Sequence, residues 1–363
     1  MLMNMTRKKF IKNCCLYCGA GVFYLAGGSL FLSSCSSREE AVEEPDLWRP
    51  AYAALAAEGK FDDRVEQIYD IFNKCELCPR SCGVNRNTGE EGFCRAPGQA
   101  VVYSHQPHFG EELPLTGSRG SGTIFFSNCN LRCVFCQNYP IAHEGWGREI
   151  SDRELAEMML DLQQKGCHNI NLVTPTHVLP NIVNATRIAH QNGLTLPLCY
   201  NTSGYERTEV VGLLDGIVDI YLPDLKFMDG AEAERYNLAE AYDYPQKAQE
   251  SITKMHRLVG DIVKDENGVA LSGLMVRHLV MPNRVAGTEE FVRWVAENLS
   301  KDTYVNIMSQ YRVEFKAFEY EEIARAITSE EFVEAMEWAK EAGLTNLDKR
   351  SLAQLDIHRR NVD

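Results

Sequence analysis

From residue 122 onward, short continuous apolar runs alternate with segments in which apolar residues recur every three or four positions. Runs at 122–127, 169–174, 194–200, 217–222, 274–280 and 304–308 predict six strands buried on both faces. Between the first two, Ser151-Asp152-Arg153-Glu154 is a capping box that opens a helix. Leu155, Met158, Met159 and Leu162 share one face of that helix, and Gly166 is placed to end it. A second helix is predicted from about residue 178 to Gly193. A third covers 288–299, with Phe291, Val292, Val295 and Leu299 on one face, and a fourth is capped by Thr328 and Glu331 and runs to Gly343. Apolar strands alternating with amphipathic helices predict an α/β fold with a parallel sheet covered on both faces. Six such units make a partial (β/α)6 TIM-type barrel, whose functional residues belong at strand C-terminal ends. Asn201-Thr202-Ser203-Gly204 follows the third run, Pro223-Asp224-Leu225-Lys226 follows the fourth, and Arg277 sits inside the fifth.

The N-terminus has a different pattern. Residues 1–35 carry no acid and four bases, Arg7, Lys8, Lys9 and Lys12, followed by a charge-free apolar stretch that ends in Leu32-Ser33-Ser34-Cys35. A basic head, an apolar middle and a small-residue end read as an export signal. Leu-Ser-Ser-Cys resembles the lipobox of bacterial lipoproteins, which implies a membrane attachment through lipidated Cys35. The segment from Thr6 to Lys12 resembles a twin-arginine export signal with Lys8 in place of the second arginine. An uncleaved anchor and a cytoplasmic chain are the alternatives, since the apolar stretch approaches the roughly 20 residues that span a bilayer. Residues 36–60 read as an acidic tether, 61–115 as a cysteine-rich module, 116–312 as the barrel and 313–363 as a C-terminal helical extension.

The whole chain has 51 acidic and 37 basic residues, a net charge of −14. Removing the basic signal takes it to about −18, which excludes a concentrated basic surface for nucleic acid. Thirteen cysteines are too many for an ordinary 363-residue chain. Cys14, Cys15 and Cys18 fall in the signal, and Cys167 and Cys199 sit by apolar runs as small core residues. Seven of the others are grouped.

Cys129, Cys133 and Cys136 form C-x3-C-x2-C directly after the first strand. Three thiolates on a short loop suit an iron–sulfur cluster. With no fourth local ligand, a [4Fe-4S] cluster there keeps one iron open, as catalytic metal sites do. Disulfides would leave one thiol odd, and a structural zinc site would need a distant fourth ligand such as His143. The signature, with Phe135 at the aromatic position, resembles that of the radical SAM superfamily. The surrounding GSGTIFFSNCNLRCVFCQNYPIAHEGWG is similar to the pyruvate formate-lyase activating enzyme-like (PflX-like) branch, and the resemblance covers roughly residues 70 to 310.

The resemblance implies a [4Fe-4S] cluster on Cys129, Cys133 and Cys136 that reductively cleaves S-adenosylmethionine to a 5′-deoxyadenosyl radical for hydrogen abstraction. It implies cofactor contacts from Phe135, Asn201, Asp224, Lys226 and Arg277. It also implies an electron donor such as a flavodoxin or ferredoxin and, if it extends to function, a glycyl-radical partner protein as substrate. After the second strand that family has Gly-Gly-Glu, where this chain has Thr174-Pro175-Thr176-His177. Thr174 and His177 are both candidates for the missing role. Local ion pairing is the alternative role for Asp224 and Lys226, and structural bridging that for Arg277.

Upstream, Cys75, Cys78, Cys82 and Cys94 offer four ligands in twenty residues punctuated by Pro79, Gly83, Gly89 and Gly92. Such a loop-rich stretch builds little core, so a bound metal can replace one. Zinc, a second iron–sulfur cluster and two disulfides all fit the spacing. His105 and His108 read as loop or hydrogen-bonding residues between the two groups, and Glu111 and Glu112 as solvated. The alternative function is a lipid-anchored iron–sulfur or zinc binding, electron-transfer protein without radical chemistry.

Overall fold

The computed structural model describes residues 48–237 and 241–362. The expected export signal, Cys35 and the first part of the expected tether lie outside them. Among the described residues, no helix is long and apolar enough to cross a membrane.

Among the described residues, nine strands follow in chain order: β1 (Ala100–His108), β2 (Ser121–Phe126), β3 (Arg148–Ile150), β4 (Ile170–Val173), β5 (Leu198–Thr202), β6 (Ile220–Pro223), β7 (Val263–Lys264), β8 (Ala270–Leu279) and β9 (Tyr304–Met308). Their order is β3-β1-β2-β4-β5-β6-β8-β7, with β9 also paired to β8. The six predicted strands β2, β4, β5, β6, β8 and β9 run parallel, each beside the next. This is the expected partial barrel. β1 extends it antiparallel on one edge, outside the predicted set.

Register explains the two layers. Ile124, Leu172, Tyr200 and Tyr221 are in-register neighbours, and all join the main core with the surrounding helices. The intervening row, Thr123, Asn171, Cys199 and Ile220, points the other way, since successive side chains on a strand alternate. There Cys199 and Ile220 join Leu115, Leu222, Ala270, Met275 and Tyr304 in a smaller apolar cluster inside the barrel. Cys167 and Cys199 are both buried, as core cysteines should be.

The helix after β3 spans Asp152–Gln164 with both halves of the Ser151–Glu154 capping box made. The helix Ser329–Glu341 has the same box from Thr328 and Glu331. β5 starts later than the apolar run suggests. The Leu194 amide bonds Ala189 of the preceding helix and the Leu196 carbonyl accepts from Tyr52, which commits both residues to the turn. The helix Tyr244–Val259 is unanticipated, yet buries Tyr244, Ala248, Ile252 and Met255 on one face. Residues 51–57, expected within the tether, form a helix with Tyr52 buried and the Ala51 amide bonded to Asp219 at 2.7 Å.

Two carboxylates depart from expectation. Glu111 and Glu112, read as solvated, are instead taken into the barrel. Glu112 is 3% exposed and accepts from Asn306 at 2.7 Å. The reason is that β1 ends opposite the start of β2, so its following turn tucks beneath the strands and inserts Leu115 into their interior.

A third buried carboxylate, Glu206, lies beyond β5 and accepts from Thr176 at 2.5 Å and from Thr202. Its second oxygen has no partner. Burial pushes its pKa from 4.5 up to about 7, against the two threonine hydrogen bonds. A raised carboxyl pKa gives stability that is full below about 4.5 and lost as pH rises through 7. Glu206→Gln keeps the acceptor and removes the titration. Its stability advantage over the parent, from urea midpoints, should be near zero at pH 4.5 and reach on the order of 2–3 kcal/mol above pH 7. Parallel pH profiles for the two proteins would contradict this.

Candidate active site

β2 runs into a loop whose backbone is forced into unusual shape. Asn128 and Arg132 adopt φ of 73° and 57°, the left-handed region. The loop is held from outside: Val134 donates to the Tyr236 carbonyl at 2.8 Å and accepts from the Lys316 amide at 2.9 Å. Arg80 donates to the Asn130 carbonyl at 2.6 Å and Arg132 reaches the Phe93 carbonyl, so the upstream cysteine segment buttresses the same loop. Inside the loop the Leu131 amide points at the Cys129 sulfur, 3.4 Å away.

Cys129, Cys133 and Cys136 line a cavity of about 260 Å³. The same cavity is lined from the ends of four further strands by Thr174, Asn201, Ser203, Asp224, Lys226 and Arg277. Sequence-predicted residues from positions 129 to 277 thus meet in one place. Phe135 lines the cavity too, edge-on to Phe227 at 5.8 Å between ring centres.

The polar wall is a bonded unit. Arg277 donates to Asp224 at 2.7 Å and to Asn201 at 2.6 Å, and Lys226 donates to the other Asp224 oxygen at 2.6 Å. Glu111 approaches from below, 3.4 Å from the guanidinium. The ion-pair and bridging roles therefore coexist with a place in the cavity. Burial opposes ionisation of Asp224, but the Arg277 and Lys226 cations overcome it and hold the carboxyl below its ordinary value. Burial also opposes the charge on Lys226, and Asp224 more than restores it. Glu111 is different: burial pushes it up to about 7, because the guanidinium commits its shorter bonds to Asp224 and Asn201. Two firm cations facing one firm anion leave the wall suited to an anionic ligand group.

Burial pushes the Cys136 thiol up to about 12 and Cys133 higher still, with Lys226 pulling against it at both. These cysteines are neutral thiols until a metal displaces their protons. Among the described residues, no three cysteine, histidine or acidic side chains stand at single-ion spacing. A four-iron cluster spreads its thiolates wider than one ion does, and three cysteines lining one cavity fit that group. The Ser203 hydroxyl is buried on the same cavity without a partner, a place for a polar ligand group.

The Thr174–His177 segment divides by role. His177 is buried, and its ring nitrogen contacts the Ser127 carbonyl at 2.7 Å, with burial lowering its pKa to about 3. It serves the fold. Thr174 lines the cavity with φ of 59°, an outlier for a β-branched residue. His143, the candidate fourth ligand, contacts the Cys133 carbonyl at 3.1 Å and packs on Phe315. His105 sits on β1, 3.1 Å from Asp161. Ser203 and Gln310 are cavity residues that sequence reading did not single out. Ser203 was within reach, two positions after Asn201, whereas nothing near Gln310 marks it.

The sequence profile described as the Radical SAM superfamily matches residues 123–229, which contain the three cysteines and the Asn201, Asp224 and Lys226 positions. The uncharacterized protein MJ0674 of Methanocaldococcus jannaschii is 34% identical over 293 residues, covering 78% of this chain and 79% of its own length. The chain belongs to the radical SAM superfamily. Such a domain implies a [4Fe-4S] cluster and S-adenosylmethionine, and it marks this radical SAM protein as an enzyme. A second M. jannaschii protein, the uncharacterized MJ0808, is 27% identical over 178 residues, covering 44% of this chain and 51% of its own. Among solved structures, a radical SAM methyltransferase from Sphaerobacter thermophilus is 14% identical with a TM-score of 0.41, covering 82% of this chain and 91% of its own.

Breaking the polar wall should be costly. Arg277→Met leaves Asp224 with Lys226 alone and Asn201 without its donor, and is expected to lower unfolding free energy by about 3–5 kcal/mol. Arg277→Lys should recover less than half, since one ammonium cannot reproduce the planar fork. Urea denaturation under anaerobic conditions reads both, and a loss below about 1 kcal/mol for the methionine variant would refute the assignment.

Proposed function

We propose that this protein reductively cleaves S-adenosylmethionine and uses the resulting carbon radical to abstract hydrogen from a second substrate. One observation carries the reading: a single cavity is lined both by three thiols and by the Asn201–Arg277–Asp224–Lys226 unit. Cys129, Cys133 and Cys136 would hold a [4Fe-4S] cluster, which would supply the electron for breaking the sulfur–carbon bond. The chain's own residues bind and orient. The cationic side of the polar wall suits the cofactor's carboxylate, and Asn201, Asp224 and the unpartnered Ser203 hydroxyl suit its ribose hydroxyls and amino group. Thr174, strained into the cavity where the activating-enzyme resemblance implies Gly-Gly-Glu, offers a backbone carbonyl and hydroxyl to the same amino group. Phe135 and the apolar residues around it exclude water from the reacting bond.

The substrate reading follows the activating-enzyme resemblance: a glycine backbone of a partner protein, with a flavodoxin or ferredoxin as electron donor. Cys35 and the segment before it support a membrane-attached lipoprotein exported through a twin-arginine-like signal.

Anaerobically reconstituted protein, reduced with dithionite in the presence of S-adenosylmethionine, should release 5′-deoxyadenosine and methionine. Cys133→Ala should lose the cluster absorbance and the product together. Cluster-loaded protein that makes no more product than this variant would leave the alternative, an iron–sulfur binding protein without radical chemistry. Lys226→Met should retain the cluster and bind S-adenosylmethionine at least tenfold more weakly, corresponding to about 1.4 kcal/mol. Equilibrium dialysis checks this, and unchanged affinity would remove Lys226 from the cofactor site.

A further inference from the structure

Between the helix Phe61–Asp70 and β1 the chain makes two three-residue 3₁₀ turns, Ile71–Asn73 and Arg86–Thr88, and otherwise runs as loop. Its buried side chains include Cys75, Leu77, Arg86, Cys94 and Ala96, too little apolar surface to organise such a length by itself. The backbone is nevertheless specific. Cys75 and its neighbours pair with the returning strand through the Cys75 amide to Val84 at 2.9 Å and the Gly83 amide to Cys75 at 3.0 Å. The Ser81 amide closes a turn on the Cys78 carbonyl at 3.0 Å, so three cysteines share one folded loop. The loop that carries Cys94 presses onto it at Gly92, where an added Cβ would lie 2.5 Å from the Cys82 sulfur. Any larger residue there would require the Cys82 sulfur to shift. All four cysteines are free thiols.

Arg86 supplies the independent observation. It is 2% exposed, donates to the His177 and Pro97 carbonyls, and lies 4.3 Å over the Phe72 ring. Its Nε is buried without a partner, and among the described residues no carboxylate pairs with it. Its charge acts on Cys75 and Cys94. A guanidinium does not deprotonate in a protein, and a buried cation without a counter-charge is strongly unfavourable.

We propose that Cys75, Cys78, Cys82 and Cys94 hold a metal as a four-thiolate centre, and that Arg86 is the buried counter-cation of that net-anionic centre. The ligand chemistry is a thiophilic metal, supplied either as a zinc ion or as an iron–sulfur cluster. Each sulfur gives up its proton to solvent as its bond to the metal forms, with no change of sulfur oxidation state. Metal binding draws together thiols that are neighbours but do not stand at single-ion spacing. The inference is independent of the S-adenosylmethionine reading, because none of these residues lines the catalytic cavity.

The test compares the full chain carrying Cys129→Ala, Cys133→Ala and Cys136→Ala with the same chain also carrying Cys82→Ser. The first should retain about one zinc, or about four irons with sulfide, after gel filtration, which distinguishes the two sources. The second should retain less than a tenth of that. If the triple variant does not fold, the parent and its Cys82→Ser variant are compared instead, with the catalytic cluster as an internal measure of folding. Adding Arg86→Met should speed chelator-driven metal release at least tenfold, and Arg86→Lys should restore part of the difference. Metal content unaffected by Cys82→Ser, four thiols titrating freely in metal-replete protein, or two disulfides by mass spectrometry would overturn the proposal.

Discussion

A guanidinium removed from water must find acceptors in fixed positions, and Arg277 imposes that requirement on the upper half of the barrel. It rises from β8 and takes acceptors from β5 and from the end of β6, while Glu111 reaches it from beneath. Asp224 is thereby fixed, and Lys226 with it. The strand ends that converge on the cavity are held by the same charges that line it. Stability and binding share one set of bonds, so these residues resist any simple division into structural and functional.

The cysteines obey the opposite electrostatic rule. Burial favours their neutral form, pushing Cys78 and Cys136 up to about 12. A metal that binds there must displace protons, so loading depends on pH and on metal supply. Both cysteine groups have a cation nearby, Lys226 for Cys133 and Arg86 for Cys75 and Cys94. A cation beside neutral thiols has little to gain from them. The same cation beside metal-bound thiolates offsets their charge in a medium of low dielectric. The two loops also touch, through Arg80 at Asn130 and Arg132 at Phe93. The upstream segment is therefore part of the wall that shapes the catalytic loop.

Legibility in the sequence followed the range of the interactions. The capping boxes at Ser151 and Thr328, the run 304–308 and the C-x3-C-x2-C loop depend on neighbours within a few residues, and they appear as read. Asn201, Asp224, Lys226 and Arg277 were singled out by the family resemblance, and they line one cavity because strands in a parallel barrel converge at one end. The start of β5 was misplaced because a helix end and a distant tyrosine claim Leu194 and Leu196. Glu111 and Glu112 were misread for a related reason: an acidic pair in a polar segment carries no local sign that the chain will turn under a barrel.

The sequence by itself determined the alternation of strands and helices, the two groups of cysteines and the strand ends where polar residues would gather. Periodicity, capping and ligand spacing are properties of short stretches, and such stretches carry them whatever surrounds them. Only the tertiary structure decided that Thr174 rather than His177 faces the cavity, that Ser203 is left unpaired there, and that Arg86 is buried without a carboxylate. Each of those outcomes depends on which groups from distant parts of the chain fill the space around a side chain. That space does not exist until the barrel closes.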